Sequence, residues 1–121
     1  LTITNRQYEA AFAASEGVHT KKFSTSEAVQ KVHQDSGMDE ANARHYIAAY
    51  VAMRSGEPYT YSIKDSAVEH ALRELFETEG QKGLALAINA VDGYLKNYMR
   101  IKGVERRSLK DLILPWRRKI T

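Results

Sequence analysis

Residues Gln81 to Lys102 read QKGLALAINAVDGYLKNYMRIK. Leu84, Ile88, Val91, Leu95 and Tyr98 are separated by steps of four, three, four and three. That spacing keeps one apolar stripe on one side of a helix, whereas a strand would need alternation. Outward from this helix the same periodicity recurs, and it predicts an all-α chain of about six helices forming a compact bundle.

Towards the N-terminus, Asp65 is expected to cap a fourth helix running to about Glu79, with Val68, Leu72, Leu75 and Phe76 inward and Gly80 dividing it from the long helix. Ser55-Gly56-Glu57-Pro58 breaks the chain before it. Tyr59-Thr60-Tyr61-Ser62-Ile63 has strand-like composition but is too short to make a sheet, and reads as an extended loop. A third helix runs from its cap at Asp39 to about Arg54, burying Ala43, Tyr46, Ile47, Tyr50 and Val51 and leaving Ala49 and Ala52 outward. A second begins at Ser24, where Glu27 completes a capping box, buries Ala28, Val29 and Val32, and stops at a left-handed Gly37. The first begins at Thr4, with Gln7 at the capping-box position and Tyr8, Ala11, Phe12 and Ser15 on one face; Gly17 is expected to end it, and Val18 to Phe23 to connect. Towards the C-terminus, Ser108 with Asp111 opens a last helix carrying Leu109, Leu112, Ile113 and Leu114, which Pro115 bends or restarts before Trp116.

The 121 residues suit one domain, and 43% apolar with 27% charged residues is the balance of a globular protein. The chain opens on Leu1 rather than Met, which suggests a piece of a longer protein. There is no cysteine, which excludes a disulfide scaffold, a thiolate zinc finger and a thiol nucleophile, and fits a reducing, cytoplasmic setting. No apolar run approaches the ~20 residues of a membrane span, and no secretory leader is visible.

Charge is distributed unevenly. Residues 1–95 hold nine Lys and Arg against thirteen Asp and Glu, a net −4; residues 96–121 hold nine against two, a net +7. An acidic body with a basic end predicts a polyanionic partner. Lys96 and Arg100 stand one turn apart away from the apolar stripe, and Lys102, Arg106, Arg107 and Lys110 follow, then Arg117, Arg118 and Lys119. Such a ridge can neutralise phosphates. A basic amphipathic helix can also bind an anionic membrane or a partner helix, but no membrane partner is expected here.

The segment Glu27 to Tyr50 reads helix, glycine turn, helix, similar in outline to a helix-turn-helix. Asn42, Arg44 and His45 would then face a groove, Asn toward adenine and Arg toward guanine or phosphate. His33 stands where that motif expects a small residue, and Asp39 and Glu40 would repel phosphate, so simple packing is the competing reading. Tyr59 and Tyr61 could stack on bases, or pack back on the core; Lys64 follows in the same stretch and completes the candidate nucleic-acid-binding set.

No catalytic or metal constellation emerges, and no cofactor is expected. His19, His33, His45 and His70 include no pair at the four-residue spacing of a helical metal site, and His70 does not share a face with both Glu69 and Glu74. Ser24, Ser26 and Ser108 lie at or beside helix caps, and Glu69, Glu74, Glu77 and Glu79 read as a solvated face. No glycine-rich loop has phosphate-cradling spacing.

The stretch from Asn42 to about Trp116 resembles a helical accessory module associated with HNH-type nucleases and modification-dependent restriction endonucleases. The likeness rests on NARHYIAAYVAMRSGEPYTYSI, then ELFETEG, then a glycine-led helix ending LKNYM, then the basic tail. Tyr61 departs from it, standing where a basic residue is frequent. The resemblance implies double-stranded DNA as partner, a nuclease domain in the same parent chain, and cleavage residues elsewhere. The alternative is a protein-interaction or oligomerisation module, motivated by outward alanines on the third helix and the apolar last helix.

Overall fold

A computed structural model describes residues 2–120. Among them are five helices and no strand: α1 (Asn5–His19), α2 (Thr25–Ser36), α3 (Glu40–Ser55), α4 (Asp65–Lys102) and α5 (Arg107–Arg117). The all-α class holds. The count is one lower than expected because α4 contains both the fourth and the fifth predicted helices; Gly80 (φ 70°, ψ −154°) breaks the helical path between them at the expected position, in a conformation open to glycine and not to side chains with a Cβ. The chain divides into two compact units, residues 1–51 and 52–121, at a boundary inside α3.

In the first unit, the Thr4 and Ser24 hydroxyls each accept a hydrogen bond from the backbone N–H three residues on, and Gln7 and Glu27 return the bond to the cap N–H. Both predicted capping boxes are therefore formed. α1 and α2 pack together through Tyr8, Ala11, Phe12, Ala28, Val29 and Val32, all buried. The start of α1 also satisfies the end of α2: Arg6 donates to the Asp35 carbonyl (2.7 Å) and Gln7 to that of Ser36 (3.4 Å). Gly17 does not end α1, which continues to His19. A Cβ at Gly17 would lie 2.1 Å from the Phe23 ring, so this glycine seats an aromatic rather than stopping a helix.

Gly37 (φ 75°) closes α2 as expected, Met38 is buried, and the Asp39 carboxylate accepts from the Asn42 N–H (2.8 Å) to open α3. The inward face of α3 includes Tyr50, whose ring meets Phe12 edge-on at 5.2 Å between centroids. Ala49, expected outward, is buried, and Ala52 is half-buried.

In the second unit, Leu84, Ile88 and Val91 of α4 are buried, and Leu95 and Tyr98 are half-buried as the stripe nears the helix end. α5 packs on α4 with Leu109 and Ile113 buried and Trp116 edge-on to Phe76. It runs through Pro115 without restarting. The two caps predicted here are absent. Lys64 and Arg106 occupy the cap positions without a side-chain bond, while Asp65 and Ser108 bond each other (2.6 Å) and tie the two helix starts together.

Candidate nucleic-acid interface

The loop between α3 and α4 is held along one row of α4 residues spaced three or four apart. Asn89 donates to the Gly56 carbonyl (2.8 Å). Gly93 lies under Pro58, so close that a Cβ would be 2.5 Å from the proline Cβ. One residue on, Tyr94 stacks on Tyr59, with centroids 4.8 Å apart and planes 8° apart. Glycine at 93 is what lets the loop backbone come near enough for that stack.

Tyr59 is therefore a core residue, 5% exposed, and unavailable to a base. Its hydroxyl is buried without a hydrogen-bond partner. Burial first, and the neighbouring Tyr94 second, push its phenol well above the ordinary value near 10, so it stays neutral. Tyr61, two residues on, is 56% exposed.

Arg106 also turns inward. Its guanidinium bonds the Asp65 carboxylate, donates to the Tyr94 hydroxyl (2.9 Å), and lies over the Tyr94 and Tyr98 rings. Burial works against its charge, but the Tyr94 bond and Asp65 outweigh burial and raise its pKa. Arg106 is thus a structural cation and leaves the phosphate-facing set. Arg117 forks onto both oxygens of Asp92, and Lys110 pairs with Glu105 (3.0 Å), holding that carboxyl below the usual range. Lys119 rests over Phe76 and Trp116.

Lys96, Arg100, Lys102 and Arg107 remain exposed and outside every ion pair formed among the described residues. Lys64, also exposed, belongs to this unit. Arg100 and Lys102 line a cavity of about 160 Å³ together with Thr60, Ser62, Tyr94, Asn97, Tyr98 and Ile101. Sequence reading missed Thr60, Ser62 and Asn97. Asn97 carried a signal, since it continues the Asn89–Gly93 row by one further turn.

In the first unit, Arg44 is exposed, while the Asn42 amide donates to Asp39 (2.7 Å) and His45 is half-buried. Asn42 is thereby occupied by the acidic cap that precedes it. Among the described residues no group of three or more His, Asp or Glu side chains could hold a metal ion, and no helix is long and apolar enough to cross a membrane. No family model matches the chain, and comparison with curated proteins and with solved structures likewise returns no match.

Proposed function

We propose that this chain is a DNA-binding accessory module of a nuclease or restriction-type protein, with cleavage performed by another part of the parent chain. The observation that carries the reading is the set Lys96, Arg100, Lys102 and Arg107: four exposed cations in no ion pair among the described residues, while their neighbours Arg106, Lys110 and Arg117 are each paired with a carboxylate. Unpaired cations grouped along the end of one helix and the start of the next are suited to phosphates. The exposed Tyr61 offers an aromatic face in the same unit. Arg44, on the second helix of the helix–glycine–helix pair, is a further phosphate or base contact in this reading.

Duplex DNA, plain and cytosine-modified, titrated at two salt concentrations tests it. Four phosphate contacts imply a slope of about −3.6 in log K against log salt, or about 150-fold weaker binding at 200 mM than at 50 mM. Absent binding, or affinity indifferent to salt, refutes the proposal. A second reading, a protein-interaction module, is favoured by the exposed Met99, Ile101 and Val104 around the end of α4. The surface alanines that first suggested it carry less weight now that Ala49 is buried. Light scattering showing a strict monomer would count against self-association.

A further inference from the structure

We propose that the 160 Å³ cavity between the Tyr59–Ser62 loop and the end of α4 is a binding site for a single phosphate group. The cavity is lined by Thr60, Ser62, Asn97, Arg100 and Lys102 on its polar side, with Tyr94, Tyr98 and Ile101 completing the wall, and no carboxylate among them. At ~30 Å³ per water it has room for about five waters, and it falls well short of the ~300 Å³ at which drug-sized ligand pockets begin. A phosphate with a water or two matches that space; a nucleotide cofactor does not.

The hydrogen-bond order makes the site a donor site. Asp65 holds Arg106, and Arg106 donates to the Tyr94 oxygen. Tyr94 is 1% exposed, so its own hydroxyl hydrogen needs an acceptor, and Ser62 Oγ is in contact with it. Tyr94 therefore donates to Ser62, which leaves the Ser62 hydrogen free to donate onward. The chain Asp65, Arg106, Tyr94, Ser62 thus delivers an O–H donor to a cavity that already holds two cations. The site lies at the carboxyl end of α4, where helix carbonyls sum to roughly half a negative charge; the full charges of Arg100 and Lys102 exceed it.

The source of the phosphate, a phosphodiester of DNA, rests on the functional reading above; the pocket itself does not. The test follows backbone and side-chain amide NMR signals of Ser62, Asn97 and Arg100 as inorganic phosphate replaces chloride at constant ionic strength. In parallel, DNA affinity is measured for Ser62→Ala, Thr60→Val and, outside the pocket, Lys96→Ala and Arg107→Ala. The expected result is saturable phosphate-dependent shifts, abolished in Ser62→Ala, with DNA affinity of that variant reduced about tenfold. Shifts abolished without any change in DNA affinity support a site for free phosphate. Shifts in a protein that binds no DNA support the pocket and refute the DNA reading. No shifts, with DNA affinity lowered by Lys96→Ala and Arg107→Ala but untouched by Ser62→Ala and Thr60→Val, overturn the pocket and leave the DNA reading standing.

Discussion

Arg106 and Arg107 are adjacent in sequence and should behave as opposites. Replacing Arg106 by Ala removes an ion pair with Asp65, a hydrogen bond to the Tyr94 hydroxyl and contact with two rings. The pair is neither surface nor core, its side chains being 18% and 28% exposed. An exposed pair contributes about 0–1 kcal/mol, whereas breaking a buried one costs about 3–5 kcal/mol. The intermediate burial and the additional Tyr94 bond, worth about 1 kcal/mol, place the loss near 2–3 kcal/mol. For a chain of this size that corresponds to a fall of about 10 °C in Tm. Lys at 106 keeps the charge but cannot fork to Asp65 and Tyr94 together, so Arg106→Lys should lose about half as much. Arg107→Ala should leave Tm within about 2 °C, as for an ordinary surface site, and flatten the salt dependence of DNA binding by about one contact. Thermal denaturation by circular dichroism, with a double-mutant cycle through Asp65→Ala, measures the first effect; salt-dependent DNA titration measures the second. The assignment of Arg106 to structure fails if Arg106→Ala melts with the wild type, or if its cycle with Asp65 shows no coupling.

Tyr59→Phe deletes a buried hydroxyl that bonds nothing while keeping the stacked ring, and should raise stability by about 1 kcal/mol in urea denaturation. Because the folded state holds the Tyr59 proton above the pH at which the unfolded chain releases it, stability should fall by about 1.4 kcal/mol per unit as pH rises beyond 10, and Tyr59→Phe should remove that component. Gly93→Ala should cost about 1–3 kcal/mol by forcing Pro58 away, and should loosen the Tyr59–Tyr94 stack, read as a changed near-ultraviolet dichroism. Thr4→Ala and Ser24→Ala should each lower stability by about 1 kcal/mol without altering DNA affinity, since both act only as helix caps in the first unit.

Local features were legible wherever a short-range rule governs. The two complete capping boxes, the Gly37 stop and the apolar stripe of α4 each depend on residues within one or two turns, so their spacing alone specifies them. The all-α class follows from the same periodicity, and the gathering of positive charge into residues 96–121 is a matter of composition alone. What tertiary structure decided was the use of each side chain whose partner is distant in sequence. Asp65 and Ser108 carry the composition of helix caps, yet they bond each other across 43 positions. Gly17 reads as a helix stop, yet α1 continues past it to His19 and the missing Cβ at Gly17 makes room for the Phe23 ring; Gly93 falls inside the predicted helix, with nothing in its neighbourhood to announce that Pro58 lies against it. Tyr59 and Tyr61 are indistinguishable in sequence, but Tyr59 is buried in a stack with Tyr94 while Tyr61 is 56% exposed. The run of nine cations likewise reads as one uniform basic tail. Folding pairs Arg106, Lys110 and Arg117 with carboxylates, sets Lys119 over Phe76 and Trp116, and leaves Lys96, Arg100, Lys102, Arg107 and Arg118 outside every ion pair among the described residues. A cation's availability depends on what lies within a few ångströms of it in space, and sequence spacing does not carry that distance.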